Sequence, residues 1–177
     1  SRLGITGFSA GGVATLIVSG VDDRVVAGVP LSGTLAWATA VESQKAWQHT
    51  LLQLAGLSTT SPEWVKLMAE LIEPTQALAS MKGHVMMVNG STDEFFPLTA
   101  HMATYAALPD GEKRLSLVAN FDHGCYSLTG VESAADIEER ASLRASGGQR
   151  MWFGHWLGTD ADFAYVPQPP QVTVNPL

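Results

Sequence analysis

The chain has 177 residues, 46% of them hydrophobic and 15% charged, which is enough for one sizeable core and too apolar for general disorder. Lys and Arg number 10 against 17 Asp and Glu, a net charge of -7, and no basic run is interleaved with aromatic residues, so nucleic acid is not an expected partner. The single cysteine, Cys125, can form neither an internal disulfide nor a zinc site, and no apolar stretch has the length of a membrane span.

Residues 3–8 (LGITGF) read as a short buried strand, and Val13, Leu16, Ile17 and Gly20 as one face of a helix. Between them Gly7-Phe8-Ser9-Ala10-Gly11 is a G-x-S-x-G pentapeptide, the sharp strand-to-helix turn that holds a serine hydroxyl out at its tip. The plainer alternative is a tight glycine turn in which Ser9 only caps the helix. Residues 24–33 (RVVAGVPLSG) read as a second strand of the fully buried kind. Residues 34–81, rich in Ala, Leu, Gln, Glu and Trp, predict two or three helices, interrupted at 56–62 and at Pro74. Ser61-Pro62-Glu63 has the form of a helix start, an N-cap followed by proline at the first helical position.

Residues 84–90 (HVMMVNG) predict a third strand, 91–97 a loop, 99–108 a helix and Pro109-Asp110-Gly111 a turn. Residues 115–121 (LSLVANF) predict a fourth strand, with Asp122-His123-Gly124 just past its end. A helical pattern containing Gly147 and Gly148 runs over 131–157, and a Pro-rich tail or linker over 159–177, where Gln171-Val172-Thr173-Val174 reads as a further strand or as linker. Strands alternating with helices imply an α/β fold, a parallel sheet of about four strands flanked by helices. Such sheets carry their chemistry beyond the carboxyl ends of the strands, where Ser9, Asp93 and His123 all fall.

A serine hydroxyl becomes a useful nucleophile when a base takes its proton, and a histidine can do so and then protonate the leaving group. A carboxylate fixes the imidazole tautomer and stabilises the imidazolium. Ser9, Asp93 and His123 supply one candidate for each role, in the order Ser, Asp, His. Plainer readings are an Asx turn or cap for Asp93 and a surface loop position for His123. Glu94 is the reserve acid, although Phe95 beside it points to packing on that side of the loop, and Asp122 would need a tight loop to reach the neighbouring imidazole. His49, His84, His101 and His155 lie on helical or strand patterns and read as structural. No HExxH, GxGxxG or GxxxxGK motif occurs, so neither a catalytic metal nor a nucleotide cofactor is expected.

Through GFSAGG, NGSTDEFFP and NFDHG, in that order, the sequence resembles the α/β-hydrolase superfamily. The stretch 88–123 looks like the PhoPQ-activated pathogenicity-related proteins, which pair a TxDxFF acid loop with an LPGEK-like turn and a PNxDH histidine loop. GFSAGG departs from that family's Ser-Lys-Arg-Gly elbow and is more similar to the acetyl xylan esterase and dienelactone hydrolase-like branches. The resemblance covers about residues 3–157 and only the C-terminal half of the usual fold.

It implies a serine hydrolase acting on a small-molecule ester or acyl substrate through a Ser9-His123-Asp93 triad, with the Ala10 N–H as half of an oxyanion hole. It also implies that residues 34–81 form a helical cap-like insertion, for which Trp37, Trp47 and Trp64 are candidate lining, and a secreted or periplasmic setting. In the usual fold the second oxyanion donor and the neighbour of the nucleophile strand come from upstream of that strand. The strand at 3–8 is therefore expected to expose a hydrophobic edge that takes the missing N-terminal half, a complementing chain or a dimer mate. The other readings are a peptidase-type hydrolase and a non-catalytic binding or signalling module on the same fold.

Overall fold

The computed structural model describes residues 1–43, 46–57, 61–67, 75–119, 121–123 and 134–168. Four parallel strands, β1 (Leu3–Phe8), β2 (Val25–Leu31), β3 (His84–Gly90) and β4 (Lys113–Val118), pair in the order β1-β2-β3-β4. Helix α1 (Ala10–Val21) joins β1 to β2, and α6 (Leu98–Ala107) joins β3 to β4. Between β2 and β3 the described residues form the short helices α2 (Trp37–Glu42), α3 (Trp47–Leu54), α4 (Pro62–Leu67) and α5 (Thr75–Ala79). The long helix α7 (Ala134–Leu157) follows β4.

Side chains alternate across a strand, and here both faces of the central strands β2 and β3 are covered. Ala27, Val29, Met86 and Val88 face one way, onto Trp152 of α7 with Phe121 and Val166. Val85 and Met87 face the other way, onto Leu16 of α1, Leu78, Met81 and Leu108. A strand buried on both sides has no polar face to show, which is why β2 and β3 read as continuous apolar runs. Trp152 is fully buried, and its indole N–H donates to the His84 carbonyl at 3.2 Å, so its one polar group is satisfied inside the core. β1, expected as a buried strand, is instead a largely exposed edge strand, with Leu3 39% and Phe8 46% exposed, because among the described residues only β2 pairs with it.

Several expected elements are displaced. Strand β4 begins at Lys113, two residues before the apolar run: Lys113 and Arg114 pair in register with Val85 and Met86. Their charged ends are drawn off by the Leu108 carbonyl and by Glu112, so the ladder accepts two residues that hydropathy leaves out. The described residues of the segment 34–81 hold four short helices, where two or three were expected. Helix α4 starts where Ser61-Pro62-Glu63 indicates, with Ser61 Oγ accepting from the Trp64 N–H at 3.1 Å. Residues 159–168, read as the start of the tail, pack back onto the domain: Arg150 pairs with Asp160 at 2.9 Å and Val166 is buried in the core. Asn120, Gly124, Cys125, Pro74, residues 131–133 and 171–174 lie outside the described residues.

Candidate active site

Ser9 stands between the last residue of β1 and the first of α1, at φ 56° and ψ −116°. A non-glycine residue rarely adopts this conformation, and holding it costs on the order of 1–3 kcal/mol. Gly7 makes the turn feasible, because a Cβ there would lie 2.4 Å from the Gly11 carbonyl oxygen. The second glycine of the motif supplies that backbone, while its own Cβ position is open. Ser9 makes no side-chain capping bond to α1. Its Oγ lies instead 2.8 Å from His123 Nε2, so the cap alternative gives way to a hydroxyl turned toward a base.

Two backbone bonds bring the loops after β3 and β4 together: the Thr92 N–H donates to the Phe121 carbonyl at 3.0 Å and the Ser91 N–H to the Val118 carbonyl at 3.0 Å. Asp93 and His123 meet across this seam. Both carboxylate oxygens of Asp93 lie 3.0 Å from His123 Nδ1. Asp93 Oδ1 also accepts from the backbone N–H groups of Phe95 (2.9 Å) and Phe96 (2.8 Å), which fix the carboxylate. The Asx turn that was the plainer reading of Asp93 is thus present, and it aims the carboxylate. With Nδ1 donating to Asp93, Nε2 is left as the acceptor facing Ser9, the tautomer a general base needs.

Asp93 is 4% exposed. Burial pushes its carboxyl upward, but the imidazoles of His101 and His123 and the Phe96 N–H outweigh it and hold it down at about 2. Three rings surround His123: Phe8 at 5.2 Å between centroids, Phe95 at 4.6 Å and Phe96, edge-on, at 5.6 Å. They restrict the ring to one orientation and keep most water from it; His123 is 9% exposed. Ala10 is the first residue of α1, where N–H groups have no intrahelical acceptor and the helix end favours negative charge.

Glu94, the reserve acid, does something the sequence does not announce: its carboxylate accepts the His123 backbone N–H at 3.0 Å. Trp47 stacks on Phe95 at 5.9 Å, and Trp37 meets Phe96 edge-on at 5.8 Å with its indole N–H on the Thr34 carbonyl. Trp64 belongs to α4. His84 stacks on Trp156, His155 Nδ1 meets the Phe163 carbonyl and His49 Nδ1 the Val41 carbonyl. All three are thus engaged in packing or backbone contacts away from Ser9. His101 is different: fully buried on α6, it lies beside Asp93, and only a polar Asn89 in the apolar run of β3 hints at it from sequence. No group of residues suited to hold a metal occurs among the described residues.

Solved structures share this fold. Acylaminoacyl peptidase of Pyrococcus horikoshii superposes with a TM-score of 0.62 at 21% identity, over 84% of this chain and 24% of its own. A puromycin-hydrolyzing peptidase of Mycobacterium tuberculosis gives 0.59 at 22%, over 89% and 22%. Acetyl Xylan Esterase 1 of Thermoanaerobacterium sp. JW/SL YS485 gives 0.56 at 19%, over 81% and 44%. The chain thus spans about a quarter of the peptidases and less than half of the esterase. No curated protein matches it in sequence.

The class that fold and site define is the α/β-hydrolases. Within it, the model of the prolyl oligopeptidase family matches residues 1–141, and the chain belongs to that family of serine hydrolases.

Proposed function

We propose that this chain carries the catalytic residues of a carboxylic-ester hydrolase. Ser9 Oγ attacks the acyl carbonyl as His123 Nε2 takes its proton. His123 then protonates the departing alcohol, and a water activated by the same imidazole releases the acid from the acyl-enzyme. Asp93 holds the imidazole tautomer, and the Ala10 N–H faces the developing oxyanion. The observation that carries this reading is the relay of 2.8 Å from Ser9 to His123 and 3.0 Å from His123 to Asp93, built from three separate loops.

The Ala10 donor alone leaves the oxyanion half served, at a cost of about 2.7–4 kcal/mol in the transition state. The proposal therefore includes a complementing strand at the β1 edge, from an upstream segment, another chain or a dimer mate, whose adjoining loop brings the second donor. Residues 34–81 act in this reading as a cap whose tryptophans line the acyl site.

A second reading, hydrolysis of peptide bonds, has the family match in its favour. Amides need protonation of a poorer leaving group, so the two readings separate on one panel. The chain is assayed with p-nitrophenyl acetate and with an N-acyl-aminoacyl p-nitroanilide. Ester turnover with no anilide turnover, lost in Ser9→Ala, supports the esterase, since a serine peptidase also cleaves the activated ester. Anilide turnover lost in Ser9→Ala supports the peptidase. Ester cleavage that survives in Ser9→Ala rejects both.

A further inference from the structure

Asp93 faces two imidazoles, and the mechanism above uses one of them. His101 is 0% exposed, and its Nε2 lies 3.7 Å from Asp93 Oδ2. Oδ1 receives two backbone N–H groups; Oδ2 receives none in the described residues, and its side-chain neighbours are His123 Nδ1 and His101 Nε2. At 3.7 Å the His101 contact is longer than a hydrogen bond and acts as a dipole facing a charge, between two fully buried side chains where such contacts are poorly screened. Asn89, also buried at 1% exposure, brings its amide nitrogen Nδ2 to 2.6 Å from the same Nε2. Asn89 Oδ1 and His101 Nδ1 have no hydrogen-bond partner in the described residues, so the pair is buried between β3 and α6 at a cost.

We propose that His101 is a positioning residue for the acid of the relay: held by Asn89, it presents its Nε2–H to Asp93 Oδ2 and keeps that carboxylate ionised and aimed at His123. With Asn89 Nδ2 toward it, Nε2 would accept and turn a lone pair on the carboxylate; with the Asn89 amide reversed, Nε2–H donates to Asn89 Oδ1 at 2.6 Å and the same N–H edge faces Asp93 Oδ2 at 3.7 Å, the arrangement proposed here. Edge-on contact with Phe96 at 6.3 Å, the residue whose N–H holds Oδ1, ties the His101 ring to the same loop. The other titratable groups at this point are His123 and Glu94, and Glu94 is engaged with the His123 backbone. The depressed titration of Asp93, in which His101 leads the groups acting against burial, agrees with the geometry.

The proposal rests on the Ser9-His123-Asp93 reading for its catalytic consequence, and its test is arranged to separate the two. In the full chain, His101→Phe keeps ring volume and removes the donor, while His101→Gln restores an N–H close to the position of Nε2. Two quantities are read: the carboxyl 13C shift of Asp93 against pH, and the rate of Ser9 labelling by a fluorophosphonate. In His101→Phe the Asp93 titration should move up by about one unit and labelling should slow about ten-fold, the scale of a buried dipole facing a charge. His101→Gln should recover both.

An Asp93 titration unchanged in His101→Phe, or phenylalanine and glutamine variants that behave alike, would overturn the assignment. Absence of labelling in the wild type would sink the hydrolase reading, and the Asp93 titration would still decide the role of His101. If His101→Phe does not fold, Asn89→Leu, which frees the imidazole to turn away, replaces it with the same expectation.

Discussion

Gly90 and Phe121 touch so closely that a Cβ on residue 90 would lie 2.2 Å from the Phe121 carbonyl oxygen. This contact sets how near the loop carrying Asp93 comes to the loop carrying His123, since Thr92 bonds to the same carbonyl. Gly90→Ala should therefore part the loops. It should cost about 2 kcal/mol in urea unfolding, the scale of backbone overpacking, and slow Ser9 labelling at temperatures where the variant is folded. Wild-type labelling in Gly90→Ala would mean that the seam does not set the site.

Ser9 stores strain that glycine would not. Its φ of 56° lies where an L side chain is disfavoured, so Ser9→Gly should raise the unfolding free energy by about 1 kcal/mol while abolishing any labelling. Gain of stability with loss of function at one residue is the signature to look for in paired melting and labelling experiments.

Asp93 makes stability depend on acid. Its folded titration, at about 2, lies below the ordinary 3.8, so the ionised carboxylate favours the folded state. That contribution is complete above 3.8 and is lost as the pH falls through that value toward about 2. The shift corresponds to about 2 kcal/mol. The gap in unfolding free energy between wild type and Asp93→Asn should shrink by that order from pH 5 to pH 2.5, read by urea melts across the range.

Trp152 anchors the face of the sheet opposite α1, with no exposed surface and a bonded indole N–H. Trp152→Ala should cost about 3–5 kcal/mol. Thermal melting reads this directly, and a drop no larger than that of an exposed substitution such as Tyr165→Ala would show α7 to be weakly attached.

Much of this was legible in the sequence, because two of its signals are strictly local. The elbow announces itself in five residues, and the buried strands announce themselves as apolar runs. Asp93 and His123 could be placed at strand ends for the same reason. The rest depends on contacts between distant residues. The start of β4 at Lys113 is set by pairing with Val85, which hydropathy cannot register. The grip of Glu94 on the His123 N–H and the burial of His101 against Asp93 join residues on different loops and helices. A histidine on a helical pattern looks the same whether it packs or orients a carboxylate, and only the fold decides.

The central claim is that Ser9 is activated by His123, and one measurement tests it most directly: the intact mass of the chain after incubation with a fluorophosphonate, beside a Ser9→Ala control. One adduct on the wild type, absent from the control, is the result predicted by a hydroxyl 2.8 Å from an acceptor imidazole. No adduct, or an adduct that persists in Ser9→Ala, would contradict it.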